Sequence, residues 1–134
     1  MSDTYTPLIL VVEDTDYIGQ LASLVLKRIG LEVELCLTAE DAIRYLEEVA
    51  LPDLIVLDIG MPGMSGWEFL DIIKGYEATK MIPVVITTAY SDAANRLIGR
   101  LREVDRYLTK PYKPNELQSI VTQILKERGW QVPS

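Results

Sequence analysis

The sequence lacks histidine entirely, although it is 134 residues long. Histidine is the most frequent general base in enzymes and a common metal ligand. The chain therefore has no Ser-His-Asp or Cys-His catalytic machinery and no zinc site built from histidines. It also has no histidine of its own that could carry a phosphoryl group.

Cysteine and long apolar runs are also scarce. The single cysteine, Cys36, excludes an intramolecular disulfide, and its place in an apolar run predicts a buried thiol. The longest strictly aliphatic stretch, Leu8–Val12, is far shorter than the ~20 residues of a membrane span. Residues 1–4 lack the apolar core of a signal peptide. We therefore expect a cytoplasmic chain that does not enter the membrane.

Positive charge is in deficit, because 13 basic residues face 20 acidic ones and the formal net charge is −7. A field of that sign repels a phosphate backbone, so we expect no direct binding to nucleic acid. Apolar residues make up 49% of the chain, which is typical of a globular protein. The length predicts one domain over residues 1–134, with a core at about 8–126 and a C-terminal tail at 129–134.

Two periodicities alternate along the chain. Short apolar runs predict five strands, and the stretches between and after them have the 3.6-residue spacing of five helices. Capping residues indicate where four of those helices begin: Thr38, Ser65, Ser91 and Pro114. The predicted strands lie at 8–12, 31–37, 54–57, 84–86 and, more weakly, 107–108.

This alternation predicts an α/β fold with a doubly wound, five-stranded parallel sheet. Right-handed crossovers leave few topologies, and we predict the flavodoxin-like strand order 2-1-3-4-5. In that order, the carboxyl ends of the first and third strands flank the point where such sheets bind ligands.

Polar residues stand at the predicted carboxyl ends of these strands. Glu13 and Asp14 follow the first strand, and Asp58 ends the third. Carboxylates held this close resist joint ionisation unless a cation or a proton intervenes. Mg²⁺ suits such a site because it needs only one or two carboxylates and leaves positions for a phosphate, and Mn²⁺ is a possible substitute. Thr88 and Lys110 add a hydroxyl donor and a positive charge at the same edge.

These parts match the demands of phosphoryl transfer, in which Asp58 would be the nucleophile. Together the strand-end motifs resemble the receiver domains of two-component response regulators, including those that act in chemotaxis. The resemblance covers residues 8–126. Its motifs are Val12-Glu13-Asp14, the segment from Pro52 to Asp58, the turn from Met61 to Gly66, Thr88-Ala89 and Lys110-Pro111.

The resemblance implies a role for each residue of the acidic site. Asp58 would be the phosphoacceptor. Asp14 would bind Mg²⁺ directly and Glu13 would bind it through water. Asp58 and the backbone carbonyl of Gly60 would complete the protein ligands of the metal.

The resemblance also implies which residues hold the phosphoryl group and respond to it. Thr88, Ala89 and Lys110 would contact the phosphoryl oxygens. Thr88 and Tyr107 would form the switch, in which the aromatic ring turns inward as the hydroxyl moves. The peptide bond between Lys110 and Pro111 would be cis.

The function that the resemblance implies is a switch in a two-component phosphorelay. A histidine kinase or a histidine phosphotransfer protein would donate the phosphoryl group to Asp58. The face formed by the fourth helix, the fifth strand and the fifth helix would then signal to an output protein that the sequence does not identify, or to a second copy of the domain in a homodimer. Self-phosphorylation and autodephosphorylation would need Mg²⁺, and no external substrate would be turned over.

Two alternatives remain open at this point. A phosphatase of the haloacid-dehalogenase type also uses a nucleophilic aspartate and Mg²⁺, but needs an Asp-x-Asp motif. Here Asp58 is followed by Ile59 and Gly60, so the general acid is missing. A constitutive binding module would keep the fold without phosphorylation, but such modules usually lack one of the acids or the lysine.

Overall fold

The computed structural model describes residues 6–61, 63–89 and 106–131. Within these ranges, strands and helices alternate as the periodicities predict. In chain order the elements are β1 (Leu8–Val12), α1 (Asp16–Lys27), β2 (Glu32–Cys36), α2 (Ala39–Glu48), β3 (Leu54–Asp58), α3 (Gly66–Lys74), β4 (Val84–Thr88), β5 (Arg106–Thr109) and α4 (Pro114–Glu127).

The five strands form one parallel sheet in the order β2-β1-β3-β4-β5. The predicted fold class and strand order are therefore confirmed. Val12 of β1 lies beside Leu57 of β3, and Asp58 lies beside Thr87 of β4. This register brings the carboxyl ends of the three central strands to one level at the same edge of the sheet.

The central strands are buried on both faces, whereas β2 lies at an edge. Every residue of β3 and β4 is buried. In β2, Glu32 and Glu34 are exposed, while Cys36 is buried. The alternation arises because an edge strand still contacts solvent, and charged side chains there discourage pairing with another chain. This strand is also shorter than the predicted run 31–37.

Two apolar layers enclose the sheet, and alternate residues of each strand contribute to one or the other. Ile9 and Val11 of β1 join the layer that α1 and α4 cover, whereas Leu10 and Val12 join the layer under α2 and α3. Phe69 is fully buried in the second layer. Burial of such side chains stabilises the fold by roughly 1.5–3 kcal/mol each relative to leaving them exposed.

The helix starts that the sequence predicts are confirmed where the structure describes them. The Thr38 hydroxyl accepts a hydrogen bond from the Asp41 amide at 3.0 Å. Ser65 and Glu68 form a reciprocal capping box at the start of α3. Pro114 occupies the first turn of α4. The helix predicted to begin at Ser91 lies outside the described residues.

The helices of the described ranges include none that combines the length and the apolar composition needed to cross a membrane.

Cys36 tests the packing at the end of β2. Burial raises the pKa of its thiol to about 11, with smaller contributions from the charges of Glu34 and Asp41. The thiolate is the reactive form, so its population at pH 8 is reduced roughly a hundred-fold or more relative to a free cysteine. We expect an aromatic disulfide reagent to label the native protein slowly and the urea-unfolded protein at the rate of free cysteine. Rapid labelling of the native protein would contradict the packing of this strand.

Candidate functional site

Three carboxylates meet at the carboxyl edge of the sheet. Glu13 and Asp14 follow β1, and Asp58 is the last residue of β3, the strand beside β1. One carboxylate oxygen from each residue lies within 4.8 Å of those of the other two. Glu13 and Asp58 are only 3% and 6% exposed, so water screens their charges poorly. The structure thus brings together the acids that the sequence places at two separate strand ends.

Lys110 supplies the positive charge of the cluster. Its ammonium Nζ lies 2.5 Å from Glu13 Oε1 and 3.4 Å from Asp58 Oδ2. The backbone N–H of Lys110 donates to the carbonyl oxygen of Thr88 at 2.7 Å, and this hydrogen bond fixes the start of the loop after β5. The Lys110–Pro111 peptide bond is cis. One lysine therefore contacts two of the three acids and pairs most closely with Glu13.

The surroundings of Asp58 orient its carboxylate. Its Oδ1 accepts a hydrogen bond from the Gly60 amide at 2.9 Å, while Oδ2 faces Lys110. The next residue, Ile59, donates its amide to the Thr87 carbonyl at 3.2 Å, so the strand pairing extends one residue beyond the acid. Gly60 follows at the surface, where its backbone is accessible. The carboxylate is thus held at both oxygens.

The surroundings of Glu13 change its pKa. Burial raises its pKa to about 6, and the charge of Asp58 acts in the same direction. The hydrogen bonds from Lys110 and from the Thr15 amide oppose that rise. Glu13 is therefore still mostly ionised at neutral pH. Its carboxylate and that of Asp58 both depend on one lysine for a positive partner. An additional cation would relieve this repulsion.

Other residues singled out from the sequence flank the acids. Thr88 is the fully buried last residue of β4, and Ala89 follows it at the surface. Tyr107 lies on β5 beside Ile86 and packs, half-buried, against the apolar layer under α2 and α3. Thr88, Ala89 and Lys110 all lie at the carboxyl edge. Tyr107 instead lies within β5, three residues before Lys110.

An apolar groove adjoins the acidic cluster between α1 and the loop after β5. Its volume is about 470 Å³, and Ala89 and Lys110 form part of its wall. Tyr112 also lines the groove and packs on the apolar layer covered by α1 and α4. The sequence analysis did not single out Tyr112, although this residue lies only two positions after Lys110.

The donor set fits a hard divalent cation. All three side-chain donors are carboxylates, whose oxygen atoms are the ligands that such cations prefer. Lys110 compensates one negative charge of the three, which leaves the cluster anionic near neutral pH. Mg²⁺ and Mn²⁺ both accept oxygen ligands of this kind. The residues present therefore suit the cation that the strand-end acids predict.

Comparison with known families places this geometry among signalling domains. The sequence model of the response regulator receiver domain matches residues 9–122. Of the solved structures that resemble the fold, the chemotaxis protein CheY4 of Vibrio cholerae superposes with a TM-score of 0.85 at 26% identity. That alignment covers 90% of this chain and 100% of CheY4.

Curated relatives share higher identity but are longer. The phosphate regulon transcriptional regulatory protein PhoB of Klebsiella pneumoniae is 36% identical over 118 residues, which is 88% of this chain and 51% of PhoB. The DNA-binding response regulator MtrA of Mycobacterium tuberculosis is 32% identical over 124 residues, which is 92% of this chain and 53% of MtrA. The chain thus spans about half the length of these relatives.

Tyr112 offers a test of the charge at this site. Burial raises the pKa of its hydroxyl to about 12, and the negative charges of Glu13 and Asp58 add to the rise. Because the folded protein holds this proton more tightly than the unfolded chain, its stabilising contribution is lost as the pH rises above 10. We expect urea unfolding between pH 10 and 12 to show a steeper loss of stability for wild type than for Tyr112→Phe. Identical slopes would contradict the placement of Tyr112.

Proposed function

The chain belongs to the family of response regulator receiver domains, and from that premise we propose that it is a phosphorylation-dependent switch with Asp58 as the phosphoacceptor. Receiver domains generally act in signalling as phosphoacceptors and not as enzymes that turn over a substrate. They are phosphorylated by histidine kinases and act on output partners. We extend this to a phosphorelay in which a histidine kinase or a histidine phosphotransfer protein is the donor.

One observation carries the proposal: three carboxylates and one lysine converge at the carboxyl edge of the sheet, with Asp58 buried among them. A structural cluster of acids would be stable with full solvent exposure, or with a cationic partner for each acid. Here a single ammonium group pairs with two buried acids. Such an arrangement suits a site that receives further positive charge when it works.

In the proposed reaction, a carboxylate oxygen of Asp58 attacks the phosphorus atom of a phosphohistidine. A phosphorus–oxygen bond forms, and the phosphorus–nitrogen bond breaks. The donor imidazole leaves with the electron pair of that bond, and Asp58 becomes an acyl phosphate. Lys110 lies near Asp58 and would hold a phosphoryl oxygen, and Thr88 and Ala89 at the end of β4 would contact the phosphoryl group as well. Attack by water on the same phosphorus later breaks the bond between phosphorus and the Asp58 oxygen, which releases inorganic phosphate and returns Asp58 to the free carboxylate.

Mg²⁺, or Mn²⁺ in its place, would neutralise the developing charge on the phosphoryl oxygens when bound. In our proposal Asp14 and Asp58 would be the direct carboxylate ligands of the cation, and Glu13 would act through a water molecule. The carbonyl of Gly60 would supply a backbone oxygen. The hydrogen bond from the Gly60 amide to Asp58 Oδ1 keeps that backbone close to the carboxylate.

The response to phosphorylation would begin at Thr88 and continue through Tyr107. Thr88 ends the strand that pairs with β5, and Tyr107 lies on β5 against the apolar layer. A shift of the hydroxyl towards the phosphoryl group would let the tyrosine ring move inward. The surface that changes would include the helix predicted to begin at Ser91, strand β5 and the last helix, α4. An output protein, or a second copy of the chain, would bind there in the cytoplasm.

Phosphorylation by a small donor tests the assignment of Asp58. In the presence of Mg²⁺ and acetyl phosphate, we expect mass spectrometry to show the gain of one phosphoryl group on the wild-type chain. The gain should be absent in Asp58→Asn and should persist in Asp53→Asn, since Asp53 directly precedes β3, at the end of the strand opposite Asp58. A labelled Asp58→Asn protein would contradict the proposal, as would a wild-type protein that stays unlabelled.

Hydrogen exchange tests the switch. We expect phosphorylation to change amide exchange in β5 and at the start of α4 in wild type. The change should be reduced in Thr88→Ala, because the hydroxyl that couples the phosphoryl group to Tyr107 is missing. Thr122→Ala, on α4, is the matched control and should behave as wild type does. An undiminished change in Thr88→Ala would exclude Thr88 from the switch.

A further inference from the structure

Gly66, the first residue of α3, lies directly against the backbone that follows Asp58. The residue is buried, and its amide donates to the Ile59 carbonyl oxygen at 3.4 Å. A Cβ atom built on Gly66 would lie 2.4 Å from the Cα of Ile59 and 2.7 Å from the carbonyl oxygen of Asp58. Both contacts are with backbone atoms, which cannot rotate away. Only glycine allows the helix to approach the strand end this closely.

The backbone that Gly66 contacts connects the phosphoacceptor to a metal ligand. Ile59 stands between Asp58 and Gly60, and three hydrogen bonds hold this segment. The Ile59 amide bonds to Thr87 on β4, the Gly60 amide bonds to the Asp58 carboxylate, and the Ile59 carbonyl receives the amide of Gly66. The start of α3 is therefore one of the supports that set where the Gly60 carbonyl lies relative to Asp58.

We propose that Gly66 is a positioning residue for the cation site: its missing side chain lets α3 hold the Asp58–Gly60 backbone where the Gly60 carbonyl and the carboxylates can bind one cation. The inference rests on the proposed function, because it assigns Gly60 as a backbone ligand. Gly66 would influence cation binding through the backbone that it positions, without contacting the cation itself.

Two other described glycines serve as comparisons, because a Cβ atom there would not collide with backbone. A Cβ on Gly19 would meet the Leu35 side chain at 2.6 Å, but that side chain can rotate. A Cβ on Gly75, at the other end of α3, would have its nearest contact at 3.4 Å, which is ordinary van der Waals distance. Gly75→Ala therefore controls for an added methyl group on the same helix. Gly19→Ala controls for added crowding elsewhere in the core.

The expected displacement is large on the scale of metal coordination. Relief of the contact with Ile59, from 2.4 Å to the ordinary 3.4 Å, requires movement by about 1 Å. Mg²⁺ demands nearly ideal octahedral geometry, whereas Ca²⁺ accepts a flexible ligand shell at longer distances. A misplaced Gly60 carbonyl should therefore weaken Mg²⁺ binding much more than Ca²⁺ binding. A general loss of stability would weaken both equally.

Calorimetric titration with Mg²⁺ and with Ca²⁺ separates these outcomes. For Gly66→Ala we expect Mg²⁺ affinity to fall roughly tenfold or more, with a change in Ca²⁺ affinity of less than about threefold. Gly75→Ala and Gly19→Ala should keep the wild-type ratio of the two affinities. The titrations are carried out in trimethylamine N-oxide, an osmolyte that favours the folded state of a weakened variant.

Each result decides a separate question. If the wild-type chain binds no Mg²⁺, the proposed function fails before Gly66 is tested. If wild type binds Mg²⁺ and Gly66→Ala keeps the wild-type ratio of Mg²⁺ to Ca²⁺ affinity, the positioning role is wrong. A Gly66→Ala protein that stays unfolded in the osmolyte, while Gly75→Ala folds, also overturns that role, because Gly66 would then serve the whole fold.

Discussion

The repulsion among Glu13, Asp14 and Asp58 is the constraint on which the rest of the site depends. Burial removes the water that would screen the charges of Glu13 and Asp58, and Lys110 offsets only part of the repulsion. Burial is the main cause of the raised pKa of Glu13, and the charge of Asp58 adds to it. The fold thus stabilises a cluster that is unfavourable by itself, and it does so with the apolar layers on both faces of the sheet. Binding of a cation, and later of a phosphoryl group, would change the electrostatic repulsion within this cluster.

The parallel sheet explains why the acids meet. Adjacent parallel strands end at the same edge of the sheet. Strand pairing alone therefore brings together residues that are distant in sequence, and these residues need no direct contact with one another. The pairing of Val12 with Leu57 brings the end of β1 to that of β3, and the loop after β5 carries Lys110 to the same edge. Helices reinforce the arrangement from outside. The start of α3 supports the backbone next to Asp58, which is the basis of the role inferred for Gly66.

Much of this arrangement could be predicted from the sequence, because it follows from local patterns. Unbroken apolar runs indicate buried strands, and the polar residues that end them must lie at one edge of the sheet. The bounds of three strands were predicted less accurately. β2 is one residue shorter at each end than the predicted run, because an edge strand ends where its pairing ends. β4 and β5 are each two residues longer than predicted. The helix predicted to start at Ser91 lies outside the described residues, so that prediction stays a prediction.

Contacts that depend on exact distances in the folded chain could not be predicted from the sequence. The spacing of residues indicates that Lys110 approaches the acids, but not that its ammonium lies closer to Glu13 than to Asp58. That preference depends on the longer glutamate side chain and on the path of the loop. The contact between Gly66 and Ile59 depends on the angle at which α3 leaves the strand end. The half-burial of Tyr112 likewise depends on the groove beside α1. Such features appear only once the backbone is in place.

The most direct test of the central claim measures the repulsion itself. Urea unfolding of wild type and Asp58→Asn would be compared in metal-free buffer and in saturating Mg²⁺. We expect Asp58→Asn to be the more stable protein without metal, because one of the crowded charges is gone. We also expect Mg²⁺ to stabilise wild type far more than the variant. A variant that is less stable in metal-free buffer, with an undiminished response to Mg²⁺, would contradict it.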